Sequence, residues 1–178
     1  MFTPYEPRIP TGWRLISHEE NVAIWKQFTA TFQFLHGVDA PTRTRAGIVL
    51  PKGARSYDAR QIFEIYDLSQ DEFQIHERAL ERWVNAAMFA GYPEEEVFAL
   101  SLNHPGYSFQ PIHPSEEMSS DPSLWPVWLT PAGEYTCFVS RDLSHGTFGH
   151  PWLGVISIWG ERLVSYSSST PPSLLAPI

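Results

Sequence analysis

The segment VFALSLNHPGYSF, residues 97–109, decides the fold class of this chain. Residues 97–102 and 107–109 are short apolar-rich stretches of the kind that form strands. Between them, Asn103-His104-Pro105-Gly106 places Pro and then Gly at the central positions of a type II turn. The segment therefore predicts two strands that run antiparallel on either side of a turn.

Further short apolar segments follow at residues 127–129, 135–140 and 155–159. Pro131-Ala132-Gly133 suits a hairpin turn, and residues 110–126, with their Pro, Ser and acidic side chains, predict a surface loop. The second half of the chain is thus expected to form an antiparallel meander.

Two helices are predicted in the first half by capping boxes, in which a Ser is followed three residues later by a Glu. Ser17 and Glu20 start the first helix, and apolar residues at helical spacing extend it over residues 18–32. Ser69 and Glu72 start the second helix, which ends at Gly91. Residues 59–66 alternate apolar and polar side chains and predict a strand between the helices.

This order of elements predicts an α+β fold, with an antiparallel meander sheet and the two main helices packed on one face. The 178 residues fit a single domain, which we assign to residues 1–165. The Ser- and Pro-rich remainder, residues 166–178, is expected to be a loose tail. Apolar residues make up 43% of the chain and aromatic residues 14%, enough for a sizeable core.

Targeting signals are absent from the sequence. The start, MFTPYEPRIP, has neither a basic nor an apolar signal-peptide region, and the longest apolar run is residues 86–90. The single cysteine, Cys137, cannot form an internal disulfide, which fits a reducing compartment. We therefore expect a cytoplasmic protein with no membrane span.

The charge pattern restricts the partners. A net charge of −8 disfavours nucleic acid, which is itself a polyanion. Basic residues gather between Arg43 and Arg60, where Arg43 and Arg45 could bind an anion or could form an ordinary solvated loop. Acidic side chains could instead meet a protein with a basic surface; they are Glu94, Glu95, Glu96, Glu116, Glu117 and Asp121.

The sequence lacks a nucleophile elbow, a P-loop, a dinucleotide-binding glycine motif, an HExxH zinc motif and a CxxC pair. The catalytic candidates that remain are the histidines His104, His145 and His150, together with His113, because imidazole titrates near neutral pH. Their spacing fits structural roles equally well, so no cofactor and no metal site are predicted. Cys137 shares one strand face with Tyr135 and Val139, which favours a core position over a nucleophile.

Large aromatic residues are the candidates for a binding surface, because Trp and Tyr are enriched at interfaces but also fill cores. Trp125, beside Pro126 in the long loop, and Trp152, which follows His150-Pro151, are expected to be the most exposed. Tyr107 is the third candidate.

Three strings carry a family resemblance: NHPGYSF at residues 103–109, GEYTCFVSRD at 133–142 and GTFGHPW at 146–152. They resemble an uncharacterised bacterial family, the domain-of-unknown-function family numbered 2716. The resemblance implies a bacterial cytoplasmic domain and transfers no catalytic residue. It makes His104, Tyr107, His150 and Trp152 the positions to probe.

Two functions stay open at this point. The first is a non-catalytic protein-binding domain, of the immunity type that masks a basic partner with an acidic aromatic face. The alternative is a small enzyme, in which the histidines act as acid, base or metal ligands on an anionic small molecule held by the basic segment. The two differ in whether the imidazoles converge in space. The sequence leaves the oligomeric state undetermined.

Overall fold

The computed structural model of the chain describes residues 9–35, 47–117, 125–173 and 175–178. Its strands are β1 (Trp13–Leu15), β2 (Arg55–Asp58), β3 (Val97–Ser101), β4 (Tyr107–Phe109), β5 (Thr136–Ser140), β6 (Gly146–His150), β7 (Val155–Trp159) and β8 (Ala176–Pro177). Its helices are α1 (His18–Phe32), α2 (Arg60–Leu68), α3 (Gln70–Gly91), α4 (Pro114–Glu117) and α5 (Glu161–Ser169).

The strands of the described residues form one sheet in the order β1-β4-β3-β5-β6-β7-β2-β8, and every pairing is antiparallel. The predicted strand–turn–strand segment is confirmed, because Val97 lies opposite Phe109 in the β3–β4 pair. Strands β5, β6 and β7 form the meander. The α+β class with an antiparallel sheet is therefore confirmed.

Both predicted capping boxes are present. The Ser17 hydroxyl accepts a hydrogen bond from the Glu20 amide at 3.1 Å, and the Ser69 hydroxyl accepts one from the Glu72 amide at 3.3 Å. Each bond satisfies one of the amides that the first turn of a helix leaves without a partner. Helices α1 and α3 thus begin where the sequence predicts.

The two main helices lie on opposite faces of the sheet, not on one face as expected. Phe28 of α1 belongs to one core cluster with Phe98 of β3 and Cys137 of β5. Met88 of α3 belongs to the other cluster with Ala99, the next residue of β3, whose side chain points to the opposite face. The cause is visible in β3 and β5, in which every residue is buried. Strands that are buried on both sides need a covering layer on each face. Helices α2 and α5 pack on the same face as α3, because Ile62 of α2 and Leu163 of α5 belong to the same core cluster as Met88.

Two predicted strands are wrong. Residues 60–68 form α2, because the apolar residues of this segment also recur at helical spacing, with Ala59 and Ile62 buried three residues apart. The strand in this region is β2, which ends at Asp58. Residues 127–129 do not form a strand, and the Leu129 amide donates to the Glu77 side chain of α3 instead of to a neighbouring strand.

The described residues of the C-terminal segment, 166–173 and 175–178, pack against the rest of the chain, in contrast to the expected loose tail. Helix α5 continues to Ser169, and β8 pairs with β2, where Ala176 lies opposite Asp58. The Trp83 indole donates a hydrogen bond to the Thr170 carbonyl at 2.6 Å. Leu175 is buried in the main core. Among the described helices, none combines the length and apolarity that a bilayer span requires.

Gly146 provides a test of the strand packing. A β-carbon at this position would lie 2.4 Å from the Phe138 carbonyl oxygen and 3.0 Å from the Val139 α-carbon, so β5 and β6 would have to separate. We expect Gly146→Ala to lower the free energy of unfolding by about 2 kcal/mol or more, as overpacking does. Urea denaturation followed by circular dichroism measures this change.

The control is Gly53→Ala. Gly53 has a φ of +89° and nothing within 4 Å of its added β-carbon, so the substitution should cost only the backbone strain of about 1 kcal/mol. Equal losses in the two variants would contradict the close packing of β5 against β6.

Candidate functional site

A row of three polar side chains on α3 positions the main chain just before α4 and the loop that follows α4. Glu77, Glu81 and Asn85 recur every four residues, so they lie on one side of the helix, and all three are buried. We call these residues the α3 polar row. Their bonds go to main-chain groups outside the helix.

Asn85 holds the main chain just before α4, whereas Glu81 and Glu77 hold the loop that follows it. Asn85 exchanges two hydrogen bonds with the main chain of Ile112, at 2.9 and 3.1 Å. The Glu81 carboxylate accepts a bond from the Trp125 amide at 2.9 Å. The Glu77 carboxylate accepts bonds from the amides of Leu129 and Thr130. Burial raises the pKa of Glu77, and the bonds from Thr130 and Leu129 partly oppose the increase.

The loop held by the α3 polar row forms one wall of an open pocket of about 340 Å³, which we call the loop pocket. Five residues between 126 and 132 make this wall, and Trp128 is the largest of them. Ser101 of β3 and Thr136 of β5, which lie opposite each other in the sheet, also line the pocket. His104 and Glu134 complete it.

His104 and Glu134 form a pair at the loop pocket. The His104 Nε2 atom lies 3.2 Å from Oε1 of Glu134, and the Asn103 amide donates to the other carboxylate oxygen at 3.4 Å. The His104 side chain is 67% exposed, whereas that of Glu134 is 22% exposed. Ser101 is buried, and its hydroxyl has no hydrogen-bond partner among the described residues.

His145 lies far from this pocket, just before β6. Its ring is fully buried and stacks on Tyr92 with 3.5 Å between the ring centres. Its Nδ1 atom lies 3.2 Å from the Ser144 hydroxyl, and its Nε2 atom lies 3.8 Å from a Glu95 carboxylate oxygen. Burial lowers the pKa of His145 to about 4, and the nearby charge of Asp142 partly opposes this decrease.

His150 ends β6 and is also buried. Its Nδ1 atom accepts a hydrogen bond from the Leu153 amide at 3.3 Å, and its ring packs edge-on against Tyr135. Burial lowers the pKa of His150 as well. His145 and His150 are five residues apart along an extended strand, which separates them by roughly 16 Å.

The predicted catalytic histidines are therefore not brought together. His104 contacts Glu134, His145 contacts Tyr92, and His150 contacts Tyr135. His113 bonds to Ser115 beside α4. In the part of the chain that the structure describes, no three His, Cys, Asp or Glu side chains could hold a metal ion together. His104 is the one candidate of the three that lines a described pocket.

The binding candidates have separate outcomes. Trp152 is exposed as predicted, at 69%. Trp125 was expected to be exposed but is buried, because the α3 polar row draws its main chain inward and its ring packs against Trp13 and Phe109. Tyr107 is buried, and burial raises its pKa.

The charged candidates are only partly described. Arg43 and Arg45 lie outside the described residues, as does Asp121. Arg60, from the same basic segment, pairs with Asp58. Cys137 is confirmed as a core residue, and burial raises the pKa of its thiol.

The predicted acidic surface includes a second, shallower depression of about 510 Å³. Glu95, Glu96 and Asp142 line it together with Gln27 and Arg141. An ion-pair network closes one side, in which Arg14 bonds to Glu96 at 2.8 Å and Arg141 bonds to the same carboxylate at 2.9 Å. These bonds leave little unpaired charge on Glu96.

A family model described as a protein of unknown function, DUF2716, matches residues 15–164. The chain belongs to this family. The resemblance noted in the second half thus extends to α1 and α3. The uncharacterized protein YxiI of Bacillus subtilis (strain 168) is 26% identical over 171 residues, covering 92% of this chain and 96% of the relative. No solved structure matches the chain.

Glu77 in this DUF2716 protein should be a strong stability determinant. Glu77→Ala leaves the buried amides of Leu129 and Thr130 without an acceptor, and we expect a loss of about 2–4 kcal/mol in the free energy of unfolding. Urea denaturation is the measurement. Gln74→Ala, an exposed position of the same helix, is the matched control and should stay within about 0.5 kcal/mol of wild type. Similar values for both variants would rule out the anchoring role.

The buried His145 predicts a pH dependence of stability. Its pKa is lower in the folded chain than in the unfolded chain, so the unfolded chain binds the extra proton between about pH 6.5 and pH 4. The free energy of unfolding should fall as the pH decreases through this window, by up to about 3 kcal/mol for this group.

His145→Gln should flatten part of that pH profile, with the remainder due to groups such as His150. The exposed His18→Gln serves as the control and should keep the wild-type profile. Urea titrations at pH values between 4 and 7 make the comparison. A profile that is as steep in His145→Gln as in wild type would contradict the buried neutral imidazole.

Proposed function

We propose that this protein is a non-catalytic binding domain of the immunity type, which masks a protein partner that has a basic surface. The observation that carries the proposal is the exposure of Trp152 on a fixed turn. Trp152 is 69% exposed, although the amide of the next residue, Leu153, donates a hydrogen bond to the buried His150 ring. A rigid exposed aromatic side chain is a typical centre of a protein interface.

The turn that presents Trp152 is held by several bonds. The Gly154 amide donates to the His150 carbonyl at 3.0 Å, and the Gly154 carbonyl accepts from the Ala59 amide at 2.8 Å. The Trp152 side chain lies beside Tyr135, where it partly opposes the increase that burial causes in the Tyr135 pKa. The side chain would therefore lose little conformational entropy on binding, which favours affinity.

The charge around this turn supports a basic partner. Residues 102–106, 131–136 and 149–154 form three connections at the same end of the sheet, and they contain no Lys or Arg and one carboxylate, Glu134. Arg60 borders Gly154 but pairs with Asp58. With a net charge of −8 on the chain, complementarity would speed association with a cationic surface.

The enzyme alternative has weaker support. It requires converging histidines and a site for an anion, and the described histidines have separate partners. The described residues that line the loop pocket include neither Lys nor Arg. A cytoplasmic location belongs to the same proposal, since the chain has one cysteine and it is a buried free thiol.

The test uses Trp152→Ala and Ile75→Ala. Ile75 is an exposed apolar residue on α3, at 65%, so it controls for the general loss of exposed apolar surface. Each purified protein is immobilised and exposed to an extract of its source organism, and mass spectrometry identifies the retained proteins. The retained basic protein is then purified, and its affinity is measured by calorimetry at low and high salt.

We expect Trp152→Ala to weaken binding at least about tenfold, as the loss of an interface centre does, while Ile75→Ala keeps wild-type affinity. Affinity should fall with salt. Urea denaturation should give the Trp152→Ala variant a stability within about 1 kcal/mol of wild type, because the side chain is mostly exposed. A partner that binds both variants equally, or that is acidic, would refute the proposal.

A further inference from the structure

We infer that the loop pocket binds an organic cation on an apolar stem, the chemistry shared by alkylguanidinium and alkylammonium groups. The inference concerns a site separate from Trp152 and does not rest on the proposed protein partner. It follows from the charge of the pocket, an unused buried hydroxyl and the apolar wall.

The charge of the loop pocket selects a cation. Glu134 is the one carboxylate among the described lining residues, and none of them is Lys or Arg. A second carboxylate, Glu77, lies directly behind the wall, where it holds the amide of Thr130. A concave site with low-dielectric walls and charges of one sign concentrates ions of the opposite sign.

Glu134 is oriented for such a ligand. Its two oxygens are fixed by His104 at 3.2 Å and by the Asn103 amide at 3.4 Å. A carboxylate can accept about four hydrogen bonds, so these two contacts leave capacity for further N–H donors. Because the side chain is 22% exposed, an added cation would bond to a partly desolvated carboxylate, which strengthens the interaction.

Ser101 supplies the second contact. The residue is 3% exposed, it lines the loop pocket, and its hydroxyl has no hydrogen-bond partner in the described part of the chain. A buried hydroxyl without a partner is costly, so native proteins rarely retain one without a reason. An N–H donor of a bound cation would satisfy it.

The apolar wall suits the stem of the ligand. Pro126, Val127 and Ala132 line the pocket beside the half-buried Trp128. The Trp128 ring is held by Phe73 and Tyr66, with ring centres 5.1 and 5.9 Å away. Tryptophan is the strongest aromatic partner of an organic cation, and an alkyl chain packs on the same kind of surface. A simple metal ion would use none of these contacts.

The experiment titrates the purified protein with n-butylguanidinium and, separately, with n-butylurea, its neutral counterpart of nearly the same shape. Two-dimensional NMR follows the indole N–H signal of Trp128 and the amide signals of residues 101–104, 130 and 132–136. We expect saturable shifts with n-butylguanidinium and at least about tenfold weaker binding of n-butylurea, because the urea lacks the charge.

Three variants locate the site. Glu134→Gln should weaken the binding of n-butylguanidinium at least about tenfold, and Ser101→Ala should weaken this binding severalfold. Glu94→Gln removes an exposed carboxylate outside the pocket and should leave the affinity unchanged. The spectra of each variant also report whether its fold is intact, and Ser101→Thr, which keeps the hydroxyl, should keep the wild-type affinity.

A second comparison separates the two sources of the cation. The capped peptide Ala-Arg-Ala presents the same group as a protein side chain would. Tighter binding of the peptide than of n-butylguanidinium supports the side chain of a protein partner, and tighter binding of the free ion supports a small metabolite. Trp152→Ala should bind both probes normally, so the failure of one proposal would not imply the failure of the other.

The inference is overturned if n-butylurea binds as tightly as n-butylguanidinium, if Glu134→Gln leaves the affinity unchanged, or if n-butyl phosphate binds more tightly than the cation. The absence of any saturable shift at tens of millimolar n-butylguanidinium overturns it as well.

Discussion

The buried carboxylate of Glu77 is the interaction on which the loop side of this protein depends. A carboxylate that leaves water loses several kcal/mol of hydration, and hydrogen bonds must replace it. The amides of Leu129 and Thr130 supply them, which fixes the main chain at that point. Glu81 and Asn85 repeat the arrangement at Trp125 and Ile112. Residues 125–130 have no neighbouring strand among the described residues, and side chains on one side of α3 accept hydrogen bonds from their amides instead. These bonds fix the loop that forms the wall of the loop pocket.

The two-layer cover of the sheet explains where chemistry can occur. Strands β3 and β5 are buried on both faces, so their side chains serve packing, and Cys137 is one of them. The connections between strands, by contrast, bring polar side chains such as those of His104 and Glu134 to the surface. His145 and His150 mark the two ends of β6, yet both rings turn into the protein. His104 differs because it lies in a turn and pairs with Glu134 from another connection.

The sequence predicts the features that depend on local physics. Capping boxes at Ser17 and Ser69 locate both main helices, and the turn at residues 103–106 locates β3 and β4. Strands of two to four residues, such as β1, β2 and β8, are too short to show a period. The pair of Ser101 with Thr136 depends on strand register, which distant segments set together. The α3 polar row does have a local signal, namely three polar residues spaced by four within an apolar stripe.

The loop pocket and the Trp152 turn are connected through two consecutive residues. Glu134 lines the pocket, whereas the side chain of Tyr135 lies beside Trp152 and the Tyr135 carbonyl accepts a hydrogen bond from the Leu102 amide. Tyr135 belongs to the face covered by α1, whereas Glu134 lines the loop pocket on the face covered by α3. A partner that covers this end of the sheet would contact both the Trp152 side chain and the loop pocket, which the sheet holds at a fixed distance from each other. The two contacts impose different requirements, an apolar surface and a positive charge, so together they would select a basic partner more strictly than net charge alone does.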